Sequence, residues 1–152
     1  MTRLLYIPLA VIAAVALLAG CGGSGDEPLS KAELTKQADA ICWKAHNESF
    51  TGVTAYVVRE KKQANKELPV VLGKAITVAT LPAMQGGLEK LEDLSVSSED
   101  EEEMEQFTVA LSEAIKVSEE DPASSKSTSG AVYNNANRLA AKFHLGRCKG
   151  LP

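Results

Sequence analysis

The stretch "LSKAELTKQADAICWKA", Leu29 to Ala45, decides the fold. Ser30 followed three residues later by Glu33 is a capping box, in which each side chain satisfies a backbone N–H that a helix start leaves unpaired. Leu29 before the cap and Leu34 at the fourth helical position supply a hydrophobic staple. Leu34, Ala38, Ile41 and Ala45 then recur at steps of four, three and four, which traces one apolar face of a helix.

Working outward towards the C-terminus, the helical period persists. "TGVTAYVV", Thr51 to Val58, is rich in β-branched residues, and Gly52 weakens a helix by about 1 kcal/mol relative to Ala. A short strand is an option there, but no second alternating run exists to pair with it. The spacing predicts a continued or kinked helix to about Leu68. Pro69 fits the first turn of a second helix, where a missing N–H costs nothing. Its expected apolar stripe is Leu72, Ile76, Ala79, Ala83, Leu88, Leu91 and Leu94. Pro82 falls inside that run and must bend or split it, since it withholds a hydrogen bond from the Val78 carbonyl. A third helix is expected from Glu99 to about Glu119, with Met104, Phe107, Leu111, Ala114 and Ile115 inward. A polar loop, Ser118 to Gly130, precedes a last helix from about Ala131 to His144, ended by Gly146. Val132, Ala136, Leu139, Ala140 and Phe143 form its face. Short polar connections favour antiparallel neighbours, so the expected fold is all-α, a small antiparallel bundle of about four helices.

Upstream of Leu29 the chain changes character. Arg3 and the amino terminus give a weakly positive start, and an apolar run from Leu4 to Leu18 follows. The run is shorter than the ~20 residues that span a bilayer as a helix. "LAGC", Leu18 to Cys21, resembles a bacterial lipobox. That resemblance implies diacylglycerol transfer to the Cys21 sulfur, cleavage after Gly20 and acylation of the new amino terminus. An ordinary secretory signal and an uncleaved anchor are the competing readings. The expected organisation is a lipoprotein signal peptide over residues 1–20, a lipidated flexible tether over 21–29 and a helical domain over 30–152. "GGSGDEP", Gly22 to Pro28, spans roughly 15 Å as a random coil. The membrane, reached through the lipid on Cys21, is the partner this reading implies, with the body on the extracytoplasmic face.

Export would place Cys42 and Cys148 in an oxidising compartment, where an even pair reads as a disulfide. Closing a loop of about 100 residues stabilises a fold by up to about 4.7 kcal/mol in the chain-entropy model. The alternative is zinc: Cys42 and His46 are one helical turn apart, and His144 and Cys148 repeat the spacing in reverse. Gly146 breaks the helix that would orient His144, so the disulfide is the expectation and no metal is assigned. Trp43, next to Ile41 and Cys42, is expected to pack over that bond, and Asp39 to be solvated.

The full chain has 152 residues, 16 basic and 20 acidic, for a net charge of −4. Arg3 is the only charged side chain before Cys21, so a chain starting there carries −5. That sign disfavours nucleic acid, because phosphate binding needs a cationic surface. "EDEEEME", Glu99 to Glu105, lacks the twelve-residue loop and central Gly of a calcium hand and reads as negative charge favoured at a helix N-terminus. There is no Gly-rich phosphate loop, Gly-x-Ser-x-Gly elbow or His-Glu-x-x-His helix, so no catalytic residue and no cofactor is assigned.

"KAELTKQADAICWKA" (Lys31 to Ala45), "LPAMQGGLEKLEDL" (Leu81 to Leu94) and "AAKFHLGRC" (Ala140 to Cys148) together resemble a family of small helical actinobacterial lipoproteins, mostly of unassigned function. Its pattern is an Ala-Asp-x-Ile-Cys helix, a Leu-Pro helix with spaced leucines and a closing Gly-Leu-x-x-Cys. Here His144 stands where the pattern has Gly, and Ser95 to Ser98 replace a usual Pro-Pro. The resemblance implies a fold rather than an activity. The functional expectation is a non-enzymatic binding or interaction module of the cell envelope with an unidentified protein partner. The alternatives are a small-ligand sensor or enzyme with a pocket near Pro82 and Gly86–Gly87, and a purely structural surface protein.

Overall fold

A computed structural model describes residues 27–63, 68–122 and 131–150. The expected signal peptide, Cys21, most of the tether and most of the Ser118–Gly130 loop lie outside them. The described chain is all-α and forms a small helical bundle. It consists of α1 (Lys31–Gln63), α2 (Leu68–Ala75), a π-helical turn (Ile76–Thr80), α3 (Leu81–Glu92), α4 (Glu101–Glu120), a 3-10 turn (Ala131–Tyr133) and α5 (Asn134–Lys142).

The start of α1 forms as its sequence dictates. Ser30 N–H donates to Glu33 Oε2 at 3.2 Å, Glu33 N–H to Ser30 Oγ at 3.4 Å, and the two side chains meet at 2.6 Å. The Ser30 hydroxyl holds the Glu33 carboxyl below the usual carboxylate range. Leu29 is half-buried against the core that contains Leu34. Thr51–Val58 is helical throughout, so α1 runs 33 residues, roughly 50 Å at 1.5 Å per residue.

α2, the π turn and α3 follow one another with no loop between them, and the disruption expected at Pro82 takes the form of the π turn. The missing Pro82 N–H is absorbed one turn earlier. There the spiral widens, and Leu81 N–H reaches back five residues to the Ile76 carbonyl. That wider turn inserts extra rotation, and the buried face is not the expected one. The inward residues are Val71, Ala75, Thr80, Leu81, Met84, Gly87 and Leu91. Of the expected stripe only Leu91 is buried, with Leu88 and Leu94 packed at its edge.

The helices pack antiparallel in chain order. α1 meets the second segment where Ala45 faces Gly87 and Gly52 faces Ala79. α4 returns along α3, with Gln85 donating to Glu119. Then α5 returns along α4, where Ser118 Oγ hydrogen-bonds the Tyr133 hydroxyl at 3.3 Å inside the core. Burial pushes the Tyr133 phenol above its ordinary range. Phe107, Ala136 and Ala140 are fully enclosed at the centre.

The end of α5 differs from the expectation. Gly146 is not the terminator: the helix stops at Lys142, and His144 takes the left-handed conformation at φ 63°. Leu145 N–H donates to the Ala140 carbonyl at 2.8 Å and His144 N–H to the Ala141 carbonyl at 3.4 Å. These are the two bonds of a Schellman motif, which places its left-handed residue at 144.

Candidate functional site

Three features gather at the end of the bundle where α1 begins. The first is the cross-brace. Cys42 and Cys148 are joined by a disulfide with Cα atoms 5.0 Å apart and a sequence separation of 106. Both are buried, at 2% and 0% exposure. The neighbouring tail is latched by polar groups. Arg147 N–H donates to Asp39 Oδ1 at 2.7 Å, and Gly150 N–H to Asn137 Oδ1 at 3.0 Å. Asp39 is therefore a latch rather than a solvated carboxylate. Trp43 is not buried over the bond either. It is 48% exposed, with the Arg147 guanidinium 4.6 Å from its ring centre and His46 stacked at 6.2 Å. A partly exposed indole is stabilised there by the cation rather than by core packing. The two sulfurs of the alternative zinc set are bonded to each other. His46 lies exposed beside Trp43, and His144 is exposed at the end of α5. No cluster of three or more metal-ligating side chains occurs among the described residues.

The second feature ties α1 to α4. Lys31 Nζ donates to Asp100 Oδ1 at 2.6 Å and to Glu103 Oε2 at 2.8 Å. Ser97 Oγ donates to the other Asp100 oxygen at 3.1 Å. These bonds, led by the one from Lys31, hold the Asp100 carboxyl below its ordinary value, and the same bond raises Lys31 above the lysine range. Asp100 occupies the N-cap position of α4 but caps no N–H with its side chain; the lysine takes it instead. Leu29 N–H donates to the Ser95 carbonyl at 2.9 Å, so the chain enters the bundle beside the α3–α4 connection.

The third feature is an open groove of about 330 Å³ where α3 ends and α4 begins. Its floor is apolar: Leu91 and Met104 are buried, and Leu94 and Val96 are half-buried beside them. Glu92 rises on one side, Glu101 and Glu105 on the other. Glu101 and Glu105 are one helical turn apart, about 6 Å on a helix surface. Glu101 also lies in the first turn of α4, where the helix dipole favours negative charge. Sequence reasoning treated all these acids alike. The fold divides them: Asp100 and Glu103 share Lys31 as an ion-pair partner, whereas among the described residues Glu92, Glu101 and Glu105 have none.

At the alternative pocket position Pro82 is exposed, Gly86 faces open space and Gly87 lies in a close helix contact. A Cβ added at Gly87 would lie 3.0 Å from the Ala45 methyl, and Leu81 and Met84 are buried on the same face. No described helix is long and apolar enough to cross a membrane. Comparison with protein-family models, with curated proteins and with solved structures found no match.

Proposed function

We propose that this chain is a lipid-anchored lipoprotein of the extracytoplasmic membrane face whose helical body is a non-enzymatic binding module of the cell envelope. The observation that carries the reading is the use of the cysteines. Two of three are consumed by a buried disulfide, a bond that persists in exported proteins and is rare in reducing compartments. The third, Cys21, closes the Leu18–Cys21 motif. One acyl chain holds a protein only marginally, at ~0.8 kcal/mol per buried CH₂, whereas two or three hold it stably. The resemblance to small actinobacterial lipoproteins supports the same reading.

On this proposal the body stands close to the bilayer. The chain enters beside Ser95, and the Gly22–Pro28 tether reaches roughly 15 Å as a coil. The N-terminal end of α1 and the groove then face the membrane side, and the far end of α1 projects outward. The test is metabolic labelling with a fatty-acid analogue. Label should enter the wild type and be absent from Cys21→Ala, which should also leave the membrane fraction. Equal labelling of both, or a wild type that washes free of membranes, overturns the anchor. Crosslinking in cells followed by purification should recover an envelope protein with the wild type and lose it with Cys21→Ala.

A further inference from the structure

We infer that the α3–α4 groove docks a basic amphipathic segment of a protein partner. This deepens the reading of the body as a binding module and rests on it. The chemistry of the occupant follows from the walls. An apolar floor of Leu91, Met104, Leu94 and Val96 gains from an apolar side chain that removes it from water. The rim above it carries three carboxylates and no cation among its lining residues. Two neighbouring acids, Asp100 and Glu103, share one cation, Lys31. The remaining charge, on Glu92, Glu101 and Glu105, is uncompensated and converges on the groove. Complementarity calls for cations on both sides of one apolar anchor.

The dimensions set the spacing of those groups. The α4 wall runs from Glu101 to Thr108, roughly two helical turns or about 11 Å. A helical segment fits when one Leu-sized side chain is flanked by Lys or Arg three or four positions to either side. Anionic partners are repelled by the same rim, which removes nucleic acid and the phosphates of anionic lipid from consideration.

The test is fluorescence anisotropy of the full-length protein with a labelled helical peptide bearing a central Leu flanked by Lys at those spacings. Binding should weaken as salt rises, because the rim is solvent-exposed. Glu101→Gln with Glu105→Gln should weaken it about tenfold, whereas Glu113→Gln with Glu120→Gln should change it less than about twofold. Both pairs remove the same net charge from α4, so only the position differs. All four residues are exposed, and circular dichroism should report unchanged helix content for both variants. Replacing the central Leu of the peptide by Ser should abolish binding. Equal losses from the two pairs, equal binding of a Glu-for-Lys peptide, or no binding by the wild type overturns the inference. Fatty-acid labelling of Cys21 is read separately, so loss of the groove's function and loss of the anchor give different results.

Discussion

At the end of the bundle where α1 begins, groups far apart in sequence are tied by bonds. Lys31 reaches Asp100, Asp39 holds Arg147, and Cys42 is joined to Cys148. Around the π turn the ties are replaced by closeness. Gly52 lies against Ala79, Gly87 lies under Ala45, and a buried hydrogen bond of 2.9 Å links Ser49 to Thr80 across the seam. The first region tolerates irregular backbone and surface exposure, because covalent and charged ties hold it. The second has no such reserve and depends on the absence of a few methyl groups. The acidic groove is on the tied side, where the fold can spend its carboxylates on something other than packing.

The strongest way to break the contrast is to cut the brace. Cys42→Ala with Cys148→Ala should destabilise the body by about 2–5 kcal/mol in denaturant unfolding, with the chain-entropy value of about 4.7 kcal/mol for a loop of this length near the ceiling. Amide exchange should accelerate first over residues 143–150 and leave the Gly52–Ala79 contact protected. Loss of protection at both ends together would mean that the two regions are not held separately.

Next in size is an assault on closeness. Gly52→Ala places a methyl 2.7 Å from the Ala79 Cβ. Overpacking of this kind costs about 1–3 kcal/mol, and the gain in helix propensity returns only about 1. A net loss of up to about 2 kcal/mol is expected. Gly86→Ala sharpens the point, since its Cβ meets nothing within 4 Å. That variant should be about 0.8–1 kcal/mol more stable than the wild type by thermal unfolding.

At the tail, His144→Gly should stabilise by about 1 kcal/mol. A residue with a Cβ is strained by roughly that amount at φ 63°, and glycine is not. The His144 side chain is exposed, so little packing is lost in exchange.

The smallest effect belongs to the ion pair. Lys31 is 55% exposed in its side chain, so Lys31→Met should cost only about 0.2–1 kcal/mol. Its pH dependence is more informative than its size. The Asp100 carboxyl is depressed on folding, so its contribution is present above the unfolded value near about pH 4 and is lost as the pH falls through the lower folded value. The Lys31 ammonium is raised, so its contribution is complete below the unfolded value near about pH 10 and is lost only as the pH rises through the still higher folded one. Stability curves of wild type and Lys31→Met should run apart between those limits and converge in acid. Curves that stay parallel into strong acid would assign the difference to lost packing.

Much of this was legible because it is local or periodic. A capping box needs three residues of separation and a helical face needs four, so Leu29–Ala45 reveals the start and first half of α1, and the inward rows of α4 and α5 can be counted. The disulfide was legible for a different reason, because few pairings exist for so few cysteines. The stripe on the second helical segment was misplaced because periodicity assumes a constant turn. Pro82 announces a missing hydrogen bond but not how the backbone absorbs the loss, and a widened turn rotates everything across it.

The groove lay beyond sequence reasoning for a related reason. Along the chain Asp100, Glu101, Glu103 and Glu105 form one acidic run with no visible difference among them. By itself the sequence determined the helices, their starting cap, the paired cysteines and the negative balance of charge, since each depends on residue type and near-neighbour spacing. Only the tertiary structure decided which acids meet Lys31 and which face an apolar floor, which glycine must stay bare, and which residue ends α5. Those outcomes depend on distances between residues many positions apart, and such distances exist only once the helices have packed.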